Sequence, residues 1–209
     1  MSYAAHQADF GSEADFRNAF ANVFGKEPGG SAAGPTVSPK VSIDCIETPV
    51  GLLIAGATDD AVVQLEFCDL RTMESRLQRF RRRFTGTVML GSNEGVKELK
   101  LQLKQYFARQ RREFQLPLDY PGTAFQERVW ATLLQIPYGQ TWSYLDMAQR
   151  LGDVKATRAV GTANGANPIA IVIPCHRVIN ASGELGGYGG GLWRKRILLD
   201  LEMGQESLF

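Results

Sequence analysis

Residues 143–180 read SYLDMAQRLGDVKATRAVGTANGANPIAIVIPCHRVIN, and they hold the strongest structural signals in the chain. Two short helical patterns, 143–152 and 155–166, are joined by a tight Gly-Asp turn, which gives them the proportions of a helix-turn-helix. The apolar run 169–173 then predicts a buried strand. This run leads to Cys175, and His176 follows at once. The stretch therefore predicts a mostly helical domain with a thiol at the rim of its core.

The second of these helices has an unusual composition for a DNA-reading helix. It is mostly Ala, Gly and Thr, with Arg158 as its long cationic side chain. A helix that reads the major groove needs long polar side chains to reach base edges. A smooth helix can instead approach a narrow groove closely and use one long side chain as a wedge. The same composition also suits a helix that packs tightly against a neighbour, and the residues alone leave both interpretations open.

Cys175 has two interpretations as well. Free cysteine is usually a buried packing residue, but a histidine next to it can serve as the base that forms the reactive thiolate. Neighbouring side chains of an extended chain point to opposite sides, so a bridging water would have to connect Cys175 to His176. Glu202, at the end of the last helical pattern, is the candidate carboxylate to orient His176. Cysteine proteases place their histidine far from the nucleophile, and His6 lies beyond a linker, so hydrolysis is disfavoured.

Further helical signals flank this region. Thr123 and Gln126 form a capping box ahead of FQERVWATLLQI, and Ser143 and Asp146 form another. A last helix is predicted over 192–202, after the glycine-rich loop GELGGYGGG.

The preceding part of the chain has a different pattern. Three short β-like runs, 41–48, 51–57 and 61–67, are separated by turn residues and predict a small antiparallel meander. Helical patterns follow at 73–84 and 93–110. The fold class is therefore α/β (α+β), with a small antiparallel-sheet domain followed by a mostly helical domain that contains a helix-turn-helix. The strongly basic run MESRLQRFRRRF at 73–84 fits either phosphate contact or a solvated helix face.

The chain begins with a separate helical signal. Ser12 and Asp15 form a capping box for one amphipathic helix over 10–24, and a Gly/Pro/Ser-rich linker follows at 25–40. The helix lacks the partners needed to bury its Phe16, Phe20 and Phe24 face as a DNA-binding unit, so a chain that begins near Pro39 is expected to keep full activity. These shifts in composition predict three parts: 1–38, 39–118 and 119–209.

Composition bounds the functional class. The 209 residues carry a net charge of +1, so DNA affinity would have to come from local patches. Three cysteines form no CxxC pair, and no metal-ligand spacing is present, so reduced thiols and no metal are expected. No apolar stretch has the length of a membrane span. A cytoplasmic protein without membrane contact is therefore expected.

Three stretches carry a family resemblance: GTAFQERVWATLLQIPYGQTWSYLDMA, RAVGTANGANPIAIVIPCHRVI and GYGGGLWRKRILLDLE. Segment 123–203 closely resembles the catalytic domain of the methylated-DNA–protein-cysteine methyltransferases, the O6-alkylguanine-DNA alkyltransferases. Residues 41–118 resemble the variable N-terminal domain of that family. Residues 9–29 resemble the last helix of an AraC-type DNA-binding domain, as found in adaptive-response regulators, although the rest of such a domain is absent from the sequence.

The resemblance implies a role for each matching residue. Cys175 would accept the alkyl group, His176 would draw the thiol proton through water, and Glu202 would hold His176. Tyr144 would assist the departing guanine, and Arg158 would take the place of the flipped nucleotide. The other implied DNA contacts are Ser143, Thr157, Ala159 and Gly161, and the implied pocket and bracing residues are Asn167, Pro174, Tyr188 and Gly189.

The implied function is DNA repair by direct transfer. Cys175 would take the alkyl group from O6-alkylguanine, with O4-alkylthymine as a further substrate, after the base is flipped through the minor groove. The thioether product resists water, so each chain would act once. The implied partner is double-stranded DNA, bound by a monomer without a cofactor. Two alternatives remain open: a DNA-binding regulator or lesion-binding protein that transfers nothing, and a cysteine hydrolase.

Overall fold

The computed structural model describes residues 10–25, 40–84 and 86–205. Within them the chain divides into two compact units. The first takes in residues up to 104 together with 115–119, and the second takes in 105–114 together with the chain from 120 onwards. No helix among the described residues is both long enough and apolar enough to cross a membrane.

The first unit is built on a four-stranded sheet in the order β3-β2-β1-β4. Strands β1 (Lys40–Thr48), β2 (Gly51–Ala57) and β3 (Val62–Phe67) are antiparallel neighbours, which confirms the predicted meander. A fourth strand, β4 (Thr87–Leu90), pairs in parallel with β1, so the sheet is mixed rather than antiparallel. Four residues are too few to show a period of two, and this explains why the sequence pattern did not predict β4.

The N-terminal helix is part of the core of this unit. Helix α1 (Glu13–Phe24) begins at the predicted capping box of Ser12 and Asp15. Its Phe16, fully buried, and Phe20, 4% exposed, pack in one cluster with apolar residues of the sheet and of the next helix. The helix therefore buries its phenylalanines on a surface within its own unit, whereas the predicted boundary near residue 38 set it apart from the sheet. The sheet supplies that surface, which a pattern within 10–24 cannot reveal.

The basic helix α2 (Met73–Arg83) uses most of its arginines inside the first unit. Arg76 and Arg79 both contact the carboxylate of Glu66. Arg81 donates to the carbonyl of Val23 over 2.6 Å, at the C-terminal end of α1. These contacts favour a structural role for the basic run over a phosphate-binding role. Helix α3 (Glu94–Phe107) then leads from the first unit into the second.

The second unit is mostly helical, as predicted, with helices α4 (Ala124–Leu133), α5 (Tyr144–Arg150), α6 (Thr157–Gly165) and α7 (Leu192–Glu202). The capping boxes of Thr123 with Gln126 and of Ser143 with Asp146 are both formed. Helices α5 and α6 pack against each other and on α4, which gives the predicted helix-turn-helix. Two short strands, β5 (Trp142–Ser143) and β6 (Val178–Ile179), pair in parallel beside them.

The apolar run 169–173 is not the strand that its composition predicted. Ile171 has a φ of 70°, which is a rare conformation for a β-branched residue. The amide of Val172 closes a tight turn on the carbonyl of Ala170 over 2.8 Å. The segment is buried, but its backbone groups bond to side chains and local turns rather than to neighbouring strands. Burial of an apolar run therefore did not imply an extended chain here.

Candidate active site

Cys175 lies at the start of a single 3-10 turn, Cys175–Arg177, directly after this irregular buried segment. Its side chain is 5% exposed, and its Sγ accepts a hydrogen bond from Nδ2 of Asn167 over 3.0 Å. The same amide nitrogen donates to the carbonyl of Ile173 over 2.8 Å, and Oδ1 of Asn167 accepts from the amide of Ile169 over 3.0 Å. Asn167 thus ties the end of α6 to the thiol and to the segment that leads to it.

Asn164 makes a second tie of this kind. This residue lies on the buried side of α6, and its Nδ2 donates to the carbonyl of Cys175 over 3.3 Å. Asn164 was not predicted from the sequence. The small residues around it on α6 indicated either close packing or approach to a groove, and neither interpretation requires an amide at this position.

The surroundings of Cys175 shift the pKa of its thiol in opposite directions. Burial raises the pKa of Cys175, while the amide of Asn167 and the positive charge of Lys195 oppose that rise. The other two cysteines, Cys45 and Cys68, are buried in the sheet unit, and burial raises the pKa of each to about 12. Cys175 therefore differs from both in having the side-chain amide of Asn167 as a donor to its sulfur and a histidine next to it in the chain.

His176 and Glu202 form a buried pair, as predicted. Nε2 of His176 lies 2.9 Å from Oε1 of Glu202, and both side chains are fully buried. Nδ1 of His176 is buried as well and has no hydrogen-bond partner among the described residues. Burial lowers the pKa of His176, and the carboxylate of Glu202 opposes this shift. The imidazole is thus held neutral, with one nitrogen anchored and the other available to accept a proton.

The carboxylate of Glu202 has more partners than the sequence suggested. Arg177 donates to it from Nε over 2.8 Å and from Nη2 over 2.9 Å, and the amide of Gly139 donates to Oε2 over 3.1 Å. The hydroxyl of Tyr106 donates to Oε1 over 2.7 Å. Burial alone would raise the pKa of Glu202, but His176 and Arg177 outweigh it and hold that pKa well below its usual range. Glu202 is therefore ionised.

Helix α5 begins at Tyr144, whose ring lies between two glycines. A Cβ on Gly161 would stand 3.8 Å from the ring, and one on Gly186 would stand 3.0 Å from it. The hydroxyl donates to the carbonyl of Gly187 over 3.3 Å. Burial raises the pKa of Tyr144 and of Tyr188, and the charge of the Cys175 thiolate acts on both in the same direction. The structure thus brings both predicted tyrosines close to the thiol.

The glycine-rich loop is fixed by a buried lysine that the sequence arguments missed. Nζ of Lys195, on α7, donates to the carbonyl of Val178 over 2.5 Å, to that of Leu185 and to that of Gly187 over 3.4 Å. Lys195 is fully buried, and burial lowers its pKa to about 8. The lysine therefore joins the loop to the strand that follows the Cys-His turn.

The predicted DNA-contacting residues lie on or beside α6. Arg158 and Ala159 are exposed, whereas Thr157 and Gly161 are half-buried. The hydroxyl of Ser143 exchanges hydrogen bonds with Asp146 in the helix cap, so it is already engaged. The two remaining pocket candidates differ, since Pro174 is buried and Gly189 is exposed. No group of three or more His, Cys, Asp or Glu side chains in the described parts of the chain could hold a metal ion.

These features define a class: a buried thiol with an adjacent buried histidine, in the same unit as a helix-turn-helix whose second helix has mostly small side chains. Comparison with known families agrees with that class. Residues 124–204 match the DNA binding domain of 6-O-methylguanine DNA methyltransferase, and residues 43–120 match its ribonuclease-like domain.

Individual relatives are similar over most of the chain. A methylated-DNA–protein-cysteine methyltransferase of Mycobacterium leprae is 46% identical over 160 residues, which cover 77% of this chain and 91% of the relative. The crystal structure of the Mycobacterium tuberculosis O6-methylguanine methyltransferase has a TM-score of 0.68 at 43% identity, with 81% of this chain and 96% of that chain covered. A crystal structure of the M. tuberculosis protein in complex with DNA has a TM-score of 0.66 at 41% identity, with 79% and 93% covered. The chain therefore belongs to the O6-methylguanine-DNA methyltransferase family, whose members repair DNA by moving an alkyl group from the base to a cysteine.

Proposed function

We propose that this chain repairs O6-alkylguanine in double-stranded DNA by transferring the alkyl group to Cys175, once per chain. The observation that carries the proposal is the buried thiol of Cys175 on the turn that places His176 against Glu202. In the transfer, Sγ forms a bond to the alkyl carbon as the bond from that carbon to O6 breaks. The electron pair of that bond stays on the guanine oxygen. The thiol loses one proton and the released guanine gains one, so the charges balance.

His176 is the base in this proposal. Its buried Nδ1 has no partner within the described residues, while Nε2 is held by Glu202. A proton moved from Cys175 through a bridging water would arrive at Nδ1. The carboxylate of Glu202 would then stabilise the imidazolium, because a nearby opposite charge favours the charged form.

Tyr144 would assist the departing base. Its hydroxyl stays protonated, because burial raises its pKa, and a protonated hydroxyl can donate a hydrogen bond to the guanine as negative charge develops. The glycines on either side of the ring leave room for a planar base to approach. The pocket would be lined and braced by Asn167, Pro174, Tyr188 and Gly189. We propose O4-alkylthymine as a further substrate.

Helix α6 would bring the lesion to this pocket. An alkyl group on guanine O6 is out of reach of a thiol while the base is stacked, so the base must be flipped out of the duplex. Arg158 is exposed on a helix whose neighbouring residues are small, which suits insertion into the space that the base leaves. Ser143, Thr157, Ala159 and Gly161 complete the proposed surface toward the minor groove.

The remaining expectations concern the whole protein. We propose that it acts as a monomer, without a cofactor, in the cytoplasm where its DNA substrate lies. The resemblance of residues 9–29 to an AraC-type helix stays a prediction. Since the apolar face of α1 is buried in the sheet unit, we infer that this helix has no operator-binding role, and we place it with the sheet domain at 39–118.

One assay tests the transfer and its main alternatives. Protein is mixed with an excess of duplex DNA that carries O6-methylguanine labelled in the methyl group, and the label on protein is counted and mapped by mass spectrometry. One methyl per chain, on the peptide that contains Cys175, is expected. Binding of alkylated DNA without transfer would favour a lesion-binding protein. Several turnovers per chain, or a methyl on another residue, would contradict the single-turnover mechanism.

A further inference from the structure

A buried tyrosine from outside the Cys-His region reaches the carboxylate that holds His176. The hydroxyl of Tyr106 donates to Oε1 of Glu202 over 2.7 Å, and the two residues are 96 positions apart in sequence. Tyr106 lies near the end of α3 and is fully buried. The same Oε1 accepts from Nε2 of His176 over 2.9 Å and from Nη2 of Arg177 over 2.9 Å. Three donors therefore share one carboxylate oxygen.

The other oxygen of Glu202 is engaged as well. Oε2 accepts from Nε of Arg177 over 2.8 Å and from the amide of Gly139 over 3.1 Å. An ionised carboxylate offers roughly four lone-pair sites, so these contacts use its full capacity. Each donor stabilises part of the negative charge of the carboxylate, which weakens the hydrogen bonds of the other donors. The hydrogen bond to His176 is therefore weaker when the other donors are present and stronger when one of them is removed.

We propose that Tyr106 is a positioning residue for alkyl transfer: its hydroxyl fixes the carboxylate of Glu202 and limits the negative charge that this carboxylate presents to His176. The inference rests on the proposed role of His176 as the base. A base that accepts the thiol proton must be neutral beforehand. Without the hydroxyl, Oε1 would attract a protonated imidazole more strongly, and His176 would hold its proton to higher pH.

Tyr106 is suited to act as a constant donor. Burial raises its pKa well above the usual value, and the adjacent charge of Glu202 acts in the same direction, so the hydroxyl keeps its proton through the working pH range. The ring is fixed by contacts with Phe114, 5.4 Å between centroids, and with Tyr138, 6.1 Å between centroids. The titratable and charged groups that face His176 and Glu202 are Cys175, Arg177, Lys195, Tyr106, Tyr138 and Tyr188.

Tyr106 comes from a part of the sequence that precedes the segment matching the DNA binding domain. The residue lies within 43–120, the segment that matches the ribonuclease-like domain of the family. In the structure it belongs instead to the second unit, together with Glu202. The carboxylate that holds the proposed base is therefore positioned in part by a side chain from outside the segment that matches the DNA binding domain.

The test uses the titration of a single histidine. His6 and His176 are the only histidines of the sequence, so the full chain with His6→Gln gives one imidazole signal by NMR. In that background we expect Tyr106→Phe to raise the titration midpoint of His176 by about half a pH unit to one unit, because one hydrogen bond to a charged acceptor is lost. The acid limb of the rate of methyl transfer should move upward with it. Tyr120→Phe is the matched control, since its ring lies in the same unit but packs against Trp130, 6.0 Å between centroids, and the variant should move neither value.

A second variant tests the opposite direction. A fluorinated tyrosine in place of Tyr106 has a more acidic hydroxyl and is a stronger donor, so the His176 midpoint should fall. A midpoint that rises in Tyr106→Phe, or a titration seen in that variant alone, supports the inference. Equal midpoints and equal acid limbs in the parent and in Tyr106→Phe, or no titration in either, overturn it even if the overall rate falls. His176→Gln separates the two levels: if it leaves the transfer rate unchanged, the proposed base is wrong, whatever Tyr106 does.

Discussion

The two units of this chain bury different kinds of residue. The described part of the first unit buries apolar side chains and, among polar ones, only the amides of Gln64 and Gln102. In the second unit, the segment between residues 176 and 202 buries five ionisable side chains: His176, Arg177, Arg194, Lys195 and Glu202. Burial of a charge costs free energy unless it is paired and hydrogen-bonded, so such a cluster is maintained only where each charge has partners. The interior of the second unit, and not that of the first, therefore provides buried groups that can accept a proton beside a reactive thiol.

The cysteines are the sharpest test of this contrast. Cys45 and Cys68 lie in the apolar core with a pKa of about 12, so their thiols stay protonated at neutral pH. We expect Cys175→Ser to abolish methyl transfer while binding of O6-methylguanine DNA is kept. Cys45→Ser and Cys68→Ser should still transfer one methyl per chain, although each buries a new hydroxyl. The measurement is label transferred per chain. Transfer that depended on Cys45 or Cys68 would contradict the assignment.

The buried charge network is the next target. Glu202→Gln keeps the shape of the side chain but leaves Arg177 without its counter-charge and gives His176 a poorer acceptor. We expect the rate of transfer to fall by about a hundredfold or more, as for loss of general-base assistance. The free energy of unfolding should fall by about 3 to 5 kcal/mol, since one partner of a buried ion pair is removed. Single-turnover kinetics and denaturant unfolding measure the two effects separately.

The same pair gives an expectation for pH. The pKa of Glu202 is lower in the folded chain than its unfolded value of about 4.3. The ionised carboxylate therefore adds stability above pH of about 4.3, and this contribution is lost as the pH falls further toward the folded pKa. In Glu202→Gln the loss of stability over that range should be smaller than in the parent. An equal slope in both proteins would show that Glu202 does not control acid unfolding.

Arg158 separates recognition of the duplex from the chemistry at the thiol. The residue is exposed on α6 and is assigned to the space that the flipped base leaves. Arg158→Ala should slow repair of duplex DNA by a factor of about 10 to 100, since base flipping costs a few kcal/mol. Reaction with free O6-methylguanine base should change much less, because that substrate leaves no space to fill. Lys155→Ala, also exposed near the start of the helix, is the control for loss of one positive charge. Equal losses on both substrates would contradict the wedge role.

Some of these features were readable from the sequence because their signals are local. The three capping boxes span four residues each, and all three form as predicted. The adjacent Cys175 and His176 mark the site in the same way, and Glu202 was reached by family resemblance and by its place at the end of α7. In the capping boxes and in the Cys-His pair, the residues that make the signal lie within one short segment.

Other features depend on contacts that no short pattern contains. Tyr106 contacts Glu202 across 96 positions, and α1 packs on strands that begin only at residue 40. The run 169–173 has the composition of a strand, but Asn167 bonds its backbone groups and Ile171 turns it. Side chains elsewhere thus decided the conformation of a segment whose own composition favoured another.

The smallest effect on transfer is expected from the apolar unit, and it tests the opposite side of the comparison. Phe16 is fully buried between α1 and the sheet, in the core of the first unit. Phe16→Ala removes a large apolar side chain and leaves a cavity, so the free energy of unfolding of this unit should fall by about 3 to 5 kcal/mol. Below the unfolding transition, the rate of methyl transfer should stay within about twofold of the parent, because none of the residues assigned to the transfer lies in the first unit. Asn18→Ala, on the exposed side of α1, is the matched control and should change neither quantity by much.

Two measurements test this expectation. Denaturant unfolding gives the loss of stability, and hydrogen exchange of the β1 and β2 amides shows whether that loss falls on the first unit. A variant with unchanged stability would show that Phe16 adds little to this core. A variant that is folded yet slow in transfer would show that the first unit affects the chemistry as well.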